Sequence, residues 1–359
     1  MKLGISSLQG LSDWQQMYSQ LPTHSQSPFF SPGYYQAYQA VDQGEVECFW
    51  AYQDKHNYFI YPYIKKSINA LGYNLGDEYF DISGAYGYNG PLGVATDDAV
   101  TKCFNEQLCQ HLHQSKVVTE FVRYCPITEN RRFHTYTRQI DVLDNVYVTL
   151  ENGLDWIWNE SLGRRVRTAV RKGESYNLRS AFFWGEAITT EELMCFYNIY
   201  TSTMDRNSAD GFYYFDFEFF AGMRKYMGKM LLLAITYLGD VAITSELVIL
   251  EGSNSFGFLG GTLSEYYSYK ANTFQRWELL KYLSSIGIKK YSMGGGATRG
   301  DSIYDYKMSF AKGCENPFFI GTKVHIPDVY EEIRIQWAAK YPKAAEKHSA
   351  KLQGYRIIG

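Results

Sequence analysis

From Val46 to Tyr52 the chain is mostly apolar and aromatic, Gln53 to Asn57 form a polar turn, and Tyr58 to Lys65 are again aromatic and branched. Two such runs around a short polar turn predict a β-hairpin. A glycine-dense stretch from Ser83 to Gly93 comes next. Phe104, Leu108 and Leu112 then recur every four residues, which predicts a helix ahead of a strand at Thr119 to Tyr124.

The second half repeats this order. Strands are predicted at Lys229 to Tyr237, Val241 to Leu250 and Ser255 to Thr262, separated by the turns Leu238-Gly239-Asp240 and Gly252-Ser253-Asn254. The last of them carries Gly257, Gly260 and Gly261. A helix is predicted from Asn272 to Ile286, with Phe274, Trp277 and Leu280 on one side and Gly287 as its stop. A strand from Ile288 to Met293 then runs into Gly294-Gly295-Gly296. The same order of elements twice, without a residue-level repeat, predicts a duplicated α/β unit with mixed sheets. The joint falls near Asp144 to Gly153, after a strand at Arg138 to Val142. That gives one unit over 1–148 and a second over 149–319. A polar helix from Tyr330 to Tyr341 lies within 320–359, which folds back to complete the first unit.

A length of 359 residues agrees with two domains of ~100 to 200 residues each. Hydrophobic residues at 45%, charged residues at 20% and a formal net charge of -3 exclude disordered, collagen-like and coiled-coil classes. The 32 Tyr, with 22 Phe and 7 Trp, exceed what core filling alone requires, and amphipathic rings of this kind suit polar clefts. The longest apolar run, Met230 to Ile235, is far below the ~20 residues of a membrane span, and the first residues lack a signal-type apolar region. A cytoplasmic protein with no integral membrane segment is expected. Six scattered Cys without a C-x-x-C pair argue for reduced, mostly buried thiols and against a disulfide framework or a zinc knuckle.

Several familiar chemistries are missing. No G-x-S-x-G elbow occurs, and the Gly295/Gly300 spacing of a phosphate loop has Asp301 where the lysine belongs. Neither glycine cluster spells the dinucleotide fingerprint. His111 and His113 point about 200° apart on a helix of ~3.6 residues per turn, so they read as solvated helix histidines and no metal is expected.

Three segments concentrate candidate chemistry. In the first, Leu162, Val166 and Val170 mark a packed helix face, while Arg164, Arg167 and Arg171, flanked by Arg165 and Lys172, gather five positive charges. Such a face could grip phosphates or simply be solvated. The second, Tyr200 to Phe215, reads as a polar loop in which the single arginine, Arg206, could clamp a phosphate while tyrosine hydroxyls orient sugar or amide groups, or as a surface loop packed by its own rings. The third, Tyr304 to Gly313, holds Tyr306 and Lys307 after the glycine-ended strand. A lysine there could stabilise an anionic oxygen, or could snorkel from a packed strand.

In their shared order these pieces resemble the FemABX-like branch of the GNAT acyltransferase superfamily. The basic helix Arg164 to Lys172, the stretch Tyr200 to Phe215, the run Asn272 to Gly296 leading to Tyr306-Lys307-x-x-Phe310, and the loop Tyr86-Gly87-Tyr88-x-Gly90-Pro91-Leu92 carry it across most of residues 28–325. The resemblance implies two tandem GNAT-like domains and transfer of an acyl or aminoacyl group to an amine, on a sugar nucleotide or cell-envelope glycan precursor. It implies Lys307 near the reacting carbonyl and Arg164, Arg167, Arg206, Tyr213, Tyr214, Tyr86 and Tyr88 toward the substrates. The donor would be acyl-CoA, such as acetyl-CoA, or aminoacyl-tRNA. The Q/R-x-x-G-x-G/A loop by which ordinary GNAT enzymes hold coenzyme A is absent from the sequence.

An oxyanion formed on that carbonyl would be met by a backbone N–H at Gly260-Gly261 or by Lys307, with Tyr306 beside it. Asp305 and Glu246 could accept a proton, directly or through water, or be structural carboxylates. Two rivals remain at this level: a tRNA-dependent aminoacyltransferase, favoured by the five-charge helix, and a non-catalytic glycan or nucleotide-sugar binder, favoured by the missing coenzyme loop.

Overall fold

The computed structural model describes residues 1–358. The first lobe runs β1 (Lys2–Ser7), α1 (Ser12–Ser19), α2 (Pro32–Tyr38), β2 (Glu45–Asp54), β3 (Asn57–Ser67), β4 (Phe80–Ser83), β5 (Leu92–Val94), α3 (Asp98–Gln114), β6 (Val117–Arg123) and β7 (Arg138–Thr149). A short α4 (Leu154–Trp156) opens an irregular turn that ends at α5 (Arg164–Ser175). The second lobe continues with β8 (Arg179–Trp184), α6 (Thr190–Arg206), α7 (Phe217–Met227), β9 (Leu231–Leu238), β10 (Val241–Glu251), β11 (Asn254–Thr262), α8 (Ala271–Ser285), β12 (Lys290–Gly294), α9 (Ser302–Met308) and β13 (Glu315–Val324). Two helices, α10 (Pro327–Lys340) and α11 (Pro342–His348), come after it. The fold is mixed α/β, as the duplicated pattern predicts.

All the strands join one sheet in the order β1-β2-β3-β4-β6-β13-β7-β12-β11-β10-β9-β8, with β5 added on β3. Each lobe has an antiparallel meander and then a helical crossover to a parallel strand: β4 to β6 through α3, and β11 to β12 through α8. The centre is an exchange. Strand β7, which ends the first lobe in sequence, pairs with β12 of the second, and β13, which ends the second, pairs with β6 of the first. The two also pair with each other, from Glu315↔Val146 to Thr322↔Arg138. Each lobe's sheet is thus closed by a strand that leaves the other lobe.

Local chemistry sets the helices. Asp97 caps α3 by accepting from Val100 N, and Phe104, Leu108 and Leu112 are fully buried on its inner face. Thr189 and Glu192 form a capping box on α6. That helix runs through Arg206, so the segment from Tyr200 to Arg206 is helical and the loop begins only at Asn207; the apolar spacing of Phe196, Ile199 and Tyr200 outweighs the polar residues after it. Likewise Tyr304 to Met308 belong to α9, capped by Asp301, which accepts from Tyr304 N, and not to a strand.

In the first lobe a fully buried Glu120 accepts from Tyr61 Oη at 2.7 Å and Tyr136 Oη at 2.9 Å, and pairs with His325 Nε2 at 2.9 Å. This pins the corner between β13 and α10 to the lobe that α10 covers. His111 differs from expectation: its ring lies 5.1 Å from Phe49 and 3.3 Å from Tyr63 Oη, so it is half-buried, while His113 is exposed. Of the six free thiols, Cys48 and Cys125 are buried and Cys103 is exposed. No helix of the described residues is long and apolar enough to cross a membrane, and no group of three or more His, Cys, Asp or Glu among them could hold a metal ion.

Candidate active site between diverging strands

Strands β11 and β12 pair only over Asn254↔Lys290, Ser255↔Tyr291 and Phe256↔Ser292. Beyond Phe256, β11 continues on β10 alone as far as Thr262, and its edge toward β12 opens into a wedge. The register on β10 shifts between Leu247↔Leu259 and Val248↔Gly257, a bulge that re-aims the strand at the mouth of the wedge. Glycine is required along this stretch. A Cβ on Gly261 would meet the Ile199 carbonyl at 2.6 Å, one on Gly260 the Ser245 carbonyl at 2.6 Å, and one on Gly257 would press on the Glu246 carboxylate. Helix α6 packs flush against the strand as a result.

The wedge holds a cavity of about 490 Å³ lined by Gly257 to Thr262, Glu246, Arg276, Tyr306 and Lys307, and a second space of about 510 Å³ opens from it toward the first lobe. Tyr86, Met204, Tyr213, Phe258 and Lys307 line both, so the two form one bent cleft. In its floor the Glu246 carboxylate accepts from Tyr291 Oη at 2.6 Å and from Arg276 Nη2 at 3.0 Å. The Arg276 guanidinium lies 5.7 Å from the Tyr306 ring centre and 5.9 Å from that of Phe310. Burial opposes its charge, but Glu246 and the two tyrosine hydroxyls hold it firmly protonated.

Lys307 projects from α9 into the cleft, and its Nζ donates to the Gly295 carbonyl at 2.5 Å. Burial, and secondarily the like charge of Arg276, lower its pKa to about 8. A short helix places it there. Asp301 gathers the N–H groups of Ala297, Thr298 and Tyr304, while Ser161 Oγ donates to the Phe310 carbonyl and Gly163 N to that of Ser309. Both ends of α9 are therefore tied down.

The family model described as "Acetyltransferase (GNAT) domain" matches residues 161–308, the stretch that builds this wedge. Residues 161–308 are a GNAT domain. No curated protein matches the chain. Among solved structures, that of FemX covers 92% of this chain and 99% of its own at 10% identity, with a TM-score of 0.65. The C-terminal domain (DUF2156) of a protein named as a lysylphosphatidylglycerol synthetase, from Agrobacterium fabrum, covers 87% and 92% at 8% identity, with a TM-score of 0.55. L-PGS from Bacillus licheniformis covers 77% and 84% at 10% identity, with a TM-score of 0.50. The GNAT part of the resemblance read from the sequence is borne out over residues 161–308, and the structure of FemX shares the fold.

Within and around the GNAT domain the structure brings most of the candidate residues together. Lys307, Tyr306, Gly260, Gly261, Arg206, Tyr213 and Tyr86 line the wedge cavity, and Tyr88 the adjoining space. Arg206 is partly engaged, donating to the Thr262 carbonyl at 3.0 Å with its guanidinium 5.0 Å from the Tyr267 ring. Tyr214 points outward beside Asp205 and lines neither space. Arg164 and Arg167 lie on α5, also away from the cleft. Arg167 Nη1 donates to the carbonyls of Trp158 at 3.0 Å and Leu162 at 2.5 Å, fastening the irregular turn before its own helix. Of the two carboxylates weighed, Glu246 is in the floor and Asp305 is exposed outside it. Sequence reasoning missed Arg276 and Tyr291. The available signal was a lone arginine between Phe274 and Trp277, inside an otherwise packed helix.

Proposed function

We propose that the chain transfers an acyl group from a thioester donor to an amine, with the donor carbonyl seated in the wedge between β11 and β12. The observation carrying this reading is a half-buried lysine amine, its pKa lowered to about 8, in the same cavity as the unpaired edge of β11.

The neutral amine nitrogen attacks the carbonyl carbon, forming the C–N bond and an oxyanion. A backbone N–H of the Gly260–Gly261 stretch, or the Lys307 ammonium, meets that oxygen; one such donor is typically worth about 3–4 kcal/mol. On collapse the C–S bond breaks and the thiolate takes a proton from Lys307. The proton lost from the new amide nitrogen returns to Lys307 through water, so the amine's proton ends on the thiol and the balance closes. A lysine near 8 is well matched to a thiol of ~8.5, which makes the transfer nearly level in energy. Holding donor and acceptor in line in one cleft supplies ~7 kcal/mol or more, the larger share. Glu246, already bonded to Tyr291 and Arg276, fixes the charges of the floor in this scheme and does not take the proton.

The favoured donor is acyl-CoA, acetyl-CoA in the simplest case, and the favoured acceptor a sugar-nucleotide or cell-envelope glycan precursor. Against aminoacyl-tRNA stands Arg167, one of the five charges of α5, which is spent on its own backbone. Against a non-catalytic binder stands the poised lysine, which glycan binding alone does not call for. Isothermal titration with acetyl-CoA, aminoacyl-tRNA and a nucleotide-linked amino sugar tests the assignment. Binding of acetyl-CoA is expected; binding of the sugar nucleotide alone would overturn it.

A further inference from the structure

The space that opens from the wedge toward the first lobe has several rings in its wall, Phe29, Tyr88, Phe256 and Phe318 among them. Its charged side chains are Arg123, Asp210 and Lys307. Arg123 ends β6, and its Nε donates to the Gly87 carbonyl at 3.0 Å while its guanidinium lies 5.4 Å from the Phe318 ring centre. That pair of contacts fixes the guanidinium plane and leaves its two Nη groups free. No carboxylate of the described residues lies within 4.0 Å of it. Arg123 is an exposed arginine at the edge of this space, whereas Arg276 is committed to Glu246 and Arg356 to Asp81.

The charge of the whole cleft points the same way. Its two spaces are lined by four cations, Arg123, Arg206, Arg276 and Lys307, against two carboxylates, Glu246 and Asp210, in a chain whose net charge is -3. Glu246 is taken by Arg276, and Asp210 accepts from Phe212 N at 3.0 Å within its own turn. The field of Arg123 reaches the Tyr86 and Tyr88 hydroxyls, where it opposes the rise that burial causes, so its charge acts into the cleft. A preset arginine fork loses little freedom on gripping carboxylate or phosphate.

We infer that the acceptor is an anionic amine, whose carboxylate or phosphate is held by Arg123 while its nitrogen reaches the junction at Gly257 and Lys307. This rests on the acyl-transfer reading for the role of the nitrogen, but the binding subsite stands or falls separately. An amine that reacts as the neutral base keeps only its anionic group for recognition by charge.

The test is isothermal titration of the full chain with two matched pairs, glucosamine 1-phosphate against glucosamine and alanine against alaninamide. At least one anionic member should bind at least tenfold tighter than its partner, and which one does so separates phosphate from carboxylate. Arg123→Met, which keeps the stem on Phe318, should erase that preference, and Arg123→Lys should restore part of it. Equal binding within both pairs, absence of binding by both anions, or a preference that survives Arg123→Met overturns the inference. Anion binding through Arg123 in a protein that transfers no acyl group would instead sink the transfer reading alone.

Discussion

Lys307 and Gly295 are joined across the cleft, the Nζ donating to the carbonyl at 2.5 Å, so the glycine loop that ends β12 holds the side chain that α9 delivers. Twelve residues separate them in sequence. The contact places a cation in the cavity where β11 has lost its partner strand, and the proposed transfer uses the proton of that cation.

Activity should depend on Lys307 being protonated. With its pKa lowered to about 8, kcat/KM should fall as pH rises through about 8. A pH profile between 6 and about 10 checks this; a rate flat across that interval contradicts it.

The same shift carries a stability effect of opposite sense to an ion pair. The folded-state pKa lies below the ~10.4 of an unfolded lysine, so burying the ammonium destabilises the fold fully below pH 8, and the penalty fades as pH rises toward 10.4. Lys307→Met should therefore be more stable than the parent at pH 7, on the order of 1–2 kcal/mol. The gap should close near pH 10. Urea unfolding of both proteins at pH 7 and pH 10 measures it.

Arg276→Gln should cost about 3 kcal/mol or more, because it leaves the nearly buried Glu246 carboxylate with only Tyr291. It should also raise the alkaline limb of the rate profile, since it removes a like charge from Lys307. Arg276→Met with Glu246→Leu should recover much of the stability but not the profile.

Arg167→Ala should lower stability by about 1–3 kcal/mol through the turn carbonyls it leaves unpaired, with donor and acceptor KM unchanged. A raised KM at normal stability would return the basic helix to the substrate side.

Much of this was legible in the sequence because periodicity reports burial. The spacing of Phe104, Leu108 and Leu112, and the glycines of β11, reflect directly what each face touches. The exchange of β7 and β13 was not legible, since strand pairing between Val146 and Glu315 leaves no trace in either segment alone. Nor was the fate of Arg167: a helical face shows that its charges are neighbours, but not that one of them folds back onto three carbonyls. Arg276 escaped because its partner Glu246 is thirty residues away on a different element.

The central claim is that Lys307 acts on the reacting carbonyl and its leaving group. Its most direct test is the rate of acyl transfer from a bound thioester in a single turnover, comparing the parent with Lys307→Met at pH 7. A fall of at least tenfold, with donor affinity and folding retained, is expected; an unchanged rate would contradict the assignment.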